Sequence, residues 1–214
     1  MVWPRVHLVW RRTTVRIEVG QTVRVGFATG VAGDRNEALR LADKYHDIHI
    51  FSREADIAWT KTQVQLRHLN ISMDKAHTFQ RLAGRIIFSD PSLRPRSHVL
   101  ALNKKTQSSL WAYGISGDLP IILMRISDEK DMAMVRELLH GHEYLRLKGL
   151  VIDLVILNER GPSYIQSLQE ELQRQIRMSG SQALIDKPGG VFIRRTDIIP
   201  DEDVLLLKTV ARVT

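Results

Sequence analysis

The sequence contains no cysteine. That excludes disulfides, thiolate metal sites and a cysteine nucleophile, and says little about compartment. Long hydrophobic runs are missing too: nothing approaches the roughly 18 apolar residues of a membrane helix. The opening MVWPRVHLVWRR is not a signal peptide, because Pro4, Arg5 and His7 interrupt any apolar core. Basic clusters are scarce despite a net charge of +7. The doublets Arg11-Arg12, Lys104-Lys105 and Arg194-Arg195 stand apart, and no basic run interleaves with aromatics, which argues against nucleic-acid binding. The histidines include His46/His49 and His140/His142, but there is no H-E-x-x-H and no carboxylate pattern to complete a site. No metal and no cofactor are therefore expected. G-x-S-x-G is absent as well, so the serines read as caps and loops.

What is present is ordinary for a globular protein: 214 residues, 43% hydrophobic and 26% charged, enough for one large domain or two small ones. Residues 13–18 and 22–28 alternate and are β-branched, and Val19-Gly20-Gln21 between them predicts a hairpin turn. Two strands alone are marginal in water, so this hairpin needs a sheet to join. Gly26, Gly30 and Gly33 follow. Their spacing is not that of a phosphate-binding loop and no Gly-Lys-Ser/Thr comes after, so a plain connection is the simpler reading.

Asp34 and Glu37 form a capping box for a helix over 35–45. Ser52 is placed to cap a helix over 53–69, with Ala55, Ala58, Trp59, Leu66 and Leu69 along one side. Ser72 is placed to cap another over 73–88, with Ala76, Phe79, Leu82, Ala83, Ile86 and Ile87 at helical spacing. The short link Asn70-Ile71 predicts a helical hairpin. Asp90-Pro91 ends it, and 91–109 reads as loop with one turn of helix near 97–103.

Beyond residue 119 the pattern changes. Ile121–Ile126 is a short apolar run broken only by Arg125. Ser127 then caps a helix with acidic residues in its first turn and Met134, Val135, Leu138, Leu139 and Leu145 as its stripe. Leu150–Leu157 is a second apolar strand. A Ser163/Gln166 capping box opens a helix with Ile165, Leu168, Leu172 and Ile176 inward, and Val191–Arg194 is a third strand. Continuous apolar strands joined by helices imply a parallel sheet with right-handed crossovers. A helix from Asp201 closes the chain.

The fold class expected is mixed α+β: an N-terminal β-hairpin, a helical hairpin, then a β-α-β-α-β unit with a short parallel sheet and a C-terminal helix. The organisation expected is 1–30, 31–109 and 110–214. Both ends read as cut, so the chain is taken as a piece of a longer protein.

Three places carry candidate chemistry, each with a blander reading. Trp111 and Tyr113 precede Asp118, and stacked aromatics beside a carboxylate suit a sugar. The same residues also suit core-edge packing and a turn cap. Asn158 and Glu159 lie beyond the second strand, where ligands gather in open parallel sheets. Loop solvation and capping explain them equally. Asp153 is the single charge inside LVIDLVIL and, if buried, calls for a partner, with a structural salt bridge the expected one. Glycosidase chemistry needs two carboxylates at a set separation, which spacing does not establish for Asp118 with Asp153 or Glu159. No catalytic residue is assigned.

Five blocks carry a resemblance: residues 25–47, 59–69, 79–91, 109–126 (SLWAYGISGDLPIILMRI) and 143–159 (EYLRLKGLVIDLVILNE) resemble cyclic β-1,2-glucan synthases. Those are very large bacterial inner-membrane proteins. They combine a glycosyltransferase using UDP-glucose, a glycoamylase-like module and a C-terminal phosphorylase-like module. The resemblance implies a segment between the last two, with residues 13–28 as the end of a β-sandwich and a cytoplasmic location. It implies β-1,2-glucan and the neighbouring modules as partners, without membrane insertion by this segment. The transferase's aspartate motifs and the phosphorylase's catalytic domain are absent, so no catalytic residue carries over. The segment alone is expected to be non-catalytic and either carbohydrate-associated or architectural; the alternative is a nucleotide- or phosphate-binding α/β domain using Asn158 and Glu159.

Overall fold

The computed structural model describes residues 14–161 and 167–214. It divides after Arg67 into two compact units.

In the first unit the predicted turn forms but the hairpin does not. Gln21 N–H donates to Glu18 C=O at 3.0 Å, with Gly20 at φ +83°. That is the glycine position of a type II turn, whereas two-residue hairpins favour the mirror-image turns whose twist suits paired strands. Residues 14–28 form no strand, and Val15, Ile17, Val23, Val25 and Phe27 are exposed. Thr13 lies outside the described residues.

Helix α1 spans Arg35–Lys44. Asp34 Oδ1 accepts from Glu37 N–H at 2.9 Å, and Glu37 Oε2 accepts from Gly33 N–H at 3.0 Å, so the predicted box is present one residue out of phase. Helix α2 spans Ile48–His68, starting earlier than expected. Ser52 lies inside it. The cap is Asp47, whose Oδ1 accepts from His49 N–H at 2.9 Å. Of the predicted stripe Leu66 is buried, while Ala55, Ala58 and Trp59 are exposed.

The second unit opens with α3, Met73–Ile87, capped by Ser72 as expected. Ala76, Phe79 and Ile86 are buried and Ile87 is exposed. A single turn, α4 (Ser97–Leu100), and a 3-10 turn, Gln107–Tyr113, lead to the sheet. Strands β1 (Ile121–Ile126), β2 (Asp153–Asn158) and β3 (Val191–Arg195) are parallel, in that order across the sheet. Ile121 pairs with Asp153, and Leu154 with Val191. Every residue of β2 is buried, as befits a central strand covered on both faces.

Between strands run α5 (Met132–Leu147) and α6 (Ser167–Met178), and α7 (Asp201–Val210) follows β3. The α5 region is capped by Asp128 rather than Ser127. Asp128 Oδ1 accepts from Lys130 N–H, and Asp131 Oδ2 accepts from the N–H groups of Ser127 and Asp128. Val135, Leu139 and Leu145 are buried as expected; Met134 is exposed and Met132 is buried instead. In α6, Leu168, Leu172 and Ile176 are buried. The Ser163/Gln166 cap and Ile165 lie outside the described residues.

On one face of the sheet Ile121, Leu123, Val155, Leu157 and Phe192 cluster with Leu110, Ile115, Val204, Leu207 and Ala211. The 3-10 turn and α7 therefore cover that face. Two right-handed crossovers running the same way put α5 and α6 on the other, where Ile122, Met124, Ile126, Leu154 and Ile156 are buried. One pairing has no counterpart in the sequence reading. Arg212 N–H donates to Ile121 C=O at 2.8 Å and Leu123 N–H to Val213 C=O at 2.9 Å, laying Val213 parallel to the outer side of β1.

Candidate functional site

The five candidate residues fall at opposite ends of the sheet. Trp111, Tyr113 and Asp118 precede β1 at its amino edge, whereas Asn158 ends β2 and Glu159 follows it. Because the strands are parallel, a six-residue strand, on the order of 20 Å, separates the two groups.

At the amino edge, the 3-10 turn ends on Gly114 at φ +71° and the chain reverses through Gly117 at φ +76°. A Cβ on Gly117 would stand 2.8 Å from Gln107 Cγ, so both backbone and space require glycine there. The reversal is held by polar bonds. Trp111 Nε1 donates to Ser116 C=O at 3.2 Å, and Gln107 Nε2 donates to Ser116 C=O and to Asp118 Oδ1 at 2.9 and 3.0 Å. Asp118 N–H donates to Ser116 Oγ at 3.2 Å. The indole is thus fixed by its nitrogen while 65% of its residue surface stays exposed, with the Asp118 carboxylate on the same turn.

Tyr113 turns the other way. It packs against the apolar cluster, and its hydroxyl donates to Asp203 Oδ2 at 2.8 Å, while Lys105 Nζ donates to Oδ1 at 2.7 Å. Burial, and then the neighbouring Asp203 carboxylate, push the phenol up to about 12. Its carbonyl accepts from the Arg194 guanidinium.

At the carboxyl edge the polar groups satisfy one another. Asn158 is buried; its Nδ2 donates to Gln169 Oε1 at 3.1 Å and its Oδ1 accepts from Arg160 N–H at 3.1 Å. Glu159 takes a two-pronged bond from Arg125, at 2.6 and 3.0 Å, which raises the arginine further. Arg195 pairs with Asp197 and Arg160 lies 3.7 Å from Glu129. Among the described residues, then, Glu159 and Arg125, and Arg195 and Asp197, are engaged with one another.

Among the described residues Asp153 has no salt-bridge partner, contrary to expectation. The residue is fully buried; Oδ1 accepts from Gly189 N–H at 2.7 Å and Oδ2 has no partner. Burial raises this carboxyl above its ordinary range. Nearby, His142 is buried with Nε2 against Ile152 C=O at 3.2 Å and Nδ1 against Ser181 Oγ at 3.4 Å. Sequence reasoning missed this cluster. Its one local signal was the spacing of His142 after Val135 and Leu139, which places it on the buried stripe of α5. Among the described residues no group of His, Asp and Glu is arranged to hold a metal, and no helix is long and apolar enough to cross a membrane.

No protein-family model matches the chain. It is, however, 38% identical over 196 residues to cyclic beta-(1,2)-glucan synthase NdvB of Rhizobium meliloti (strain 1021). The chain is related to a segment of a glucan synthase. The match takes in 91% of this chain and only 7% of the synthase. The synthase resemblance seen in the five blocks is therefore shown for nearly the whole chain, and the mixed α+β organisation with a short parallel sheet is that of this synthase-related segment.

Proposed function

We propose that this chain is a non-catalytic, carbohydrate-associated segment of a cyclic β-1,2-glucan synthase, and that it touches glucan at the Trp111–Asp118 turn. The observation that carries the reading is the exposed indole of Trp111, held in place by its own Nε1–H bond beside the Asp118 carboxylate. An apolar ring face meets the C–H groups of a sugar, and a carboxylate accepts its hydroxyl hydrogens. Tyr113 supports the turn from below.

The surroundings of the other two carboxylates weighed with Asp118 favour binding over bond cleavage. Asp153 is buried beneath the sheet edge, and Glu159 is bound to Arg125 at the far end. In a synthase-length polypeptide the partners are the neighbouring modules, with 110–214 as the α/β part of the segment. The parent lies in the inner membrane and this segment on its cytoplasmic side. The nucleotide- or phosphate-binding alternative is weakened by the paired charges around Asn158 and Glu159.

Tryptophan fluorescence tests the reading. Titration with β-1,2-gluco-oligosaccharides should give a saturating change at millimolar sugar that Trp111→Ala abolishes. No change in the wild-type chain, or the same change in both chains, overturns it. Tight binding of UDP-glucose would favour the alternative.

A further inference from the structure

The amino edge of the sheet carries two buried titratable groups that the proposed glucan contact does not use. Asp153 opens β2 opposite Ile121, and its N–H donates to Pro120 C=O at 2.9 Å. Its carboxyl is fully enclosed, with Oδ1 on Gly189 N–H and Oδ2 on nothing. His142 reaches Ser181 at the beginning of the same connection. The segment 179–190 is thus held near its start by a histidine and near its end by a carboxyl.

The final turn of that segment is tightly built. Asp186 N–H donates to Val191 C=O at 3.1 Å, Gly190 N–H donates to Lys187 C=O at 3.0 Å, and Gly189 sits at φ +74°. A negative charge on Asp153 would find no donor at Oδ2 among the described residues. The charges on the surrounding elements do not compensate. Asp118, on the turn before β1, is itself negative and adds to the effect of burial. On the 179–190 segment, Asp186 is engaged by Arg194 and Lys187 Nζ donates to Ala183 C=O. On α7, Asp203 is held by Lys105 and Tyr113. On α5, burial holds His142 below its ordinary value and Arg146 acts in the same direction, while its backbone contacts with Ile152 and Gly189 and the Glu143 charge oppose this.

We propose that Asp153 is a proton-dependent latch: its neutral carboxyl holds the 186–190 turn on the sheet edge, and ionisation releases that turn. The neutral acid keeps Oδ1 on Gly189 and leaves only an uncharged hydroxyl without a partner. The anion needs water at Oδ2, and lifting 186–190 admits it. The folded-state value lies above the unfolded one, so the latch is shut at low pH and opens as pH rises through the folded value. One proton is linked to opening, so the open population grows by up to about tenfold per pH unit.

Amide hydrogen exchange on the full chain, followed by NMR as pH is raised from the ordinary carboxylate value upward, tests this. After correction for intrinsic exchange, protection at Gly189 and Gly190 should fall by up to about tenfold per pH unit in the wild type and stay flat in Asp153→Asn. The Asp153 carboxyl carbon should titrate above the ordinary carboxylate value, with the same midpoint as the loss of protection. An Asp153 carboxyl already ionised throughout the range, or a variant that keeps the wild-type pH dependence, overturns the proposal. Should Asp153→Asn fail to fold, the two wild-type curves decide alone: different midpoints overturn it.

Discussion

Tyr113 donates its phenolic proton to Asp203 Oδ2 at 2.8 Å across 90 residues of sequence, tying the 3-10 turn before β1 to the first turn of α7. Tyr113→Phe keeps the ring against the core and removes that bond. A hydrogen bond to a charged acceptor contributes about 1.5–3 kcal/mol. Because Lys105 still holds the other oxygen, the lower end is expected, read as a shift in urea midpoint. The phenol's contribution is fully present below its ordinary value and is lost as pH rises through about 12. Absorbance titration should accordingly show that Tyr113→Phe loses a phenol ionising near pH 12.

Asp203 predicts the opposite pH dependence. Burial pushes its carboxyl up, but the bonds from Lys105 and Tyr113 outweigh that and hold it below the ordinary value. A depressed carboxyl stabilises the fold above its unfolded value and loses that contribution as pH falls through the folded one. Urea midpoints should therefore fall more between neutral and acid pH in the wild type than in Asp203→Asn, the wild type being the more stable at neutral pH and the two converging below the folded value.

Two glycines should respond to alanine with opposite signs. At Gly190 a Cβ would stand 1.9 Å from Leu184 C=O and 2.8 Å from Lys187 C=O, both backbone atoms that cannot swing aside. Gly190→Ala should destabilise by about 3 kcal/mol or more. Gly84 lies inside α3 with nothing within 4 Å of its Cβ position. Gly84→Ala should stabilise by about 0.5–1 kcal/mol through helix propensity. Thermal and urea unfolding of both variants check the pair.

Trp111 and Phe192 separate binding from folding. Phe192 is fully buried in the cluster beneath α7, and Phe192→Ala should cost about 3–5 kcal/mol. Trp111 is mostly exposed, and Trp111→Ala should change stability by about 0.5–1 kcal/mol, chiefly through its bond to Ser116. The fluorescence response to glucan should nevertheless disappear with Trp111 alone.

The strands were legible because each is a short apolar run between polar turns: β1 matches its predicted bounds and β3 extends one residue further, while β2 starts at Asp153 rather than Leu150 and ends at Asn158. The α5 cap was harder to read. Residues 127–131 offer several competent caps, and which one closes the turn depends on Asp131 folding back onto two amides. The hairpin failed for another reason: alternation specifies which side chains share a face, but pairing needs a compatible turn and a sheet. Nothing local reveals that Tyr113 faces inward and Trp111 outward, because Asp203 decides the former. Asp153 was recognisable as anomalous, but its partner is a backbone N–H delivered by a distant turn.

The pairing of Val213 along β1 bears on aggregation. An open parallel edge recruits strands from other molecules unless it is shielded. Here Arg212 and Val213 occupy the backbone of Ile121 and Leu123, and Arg125 places a charge on the stretch beyond them. A variant with Arg212→Pro, which removes the N–H that donates to Ile121 C=O, should leave the core folded but bind amyloid dyes and scatter light on mild heating, while the wild type stays clear.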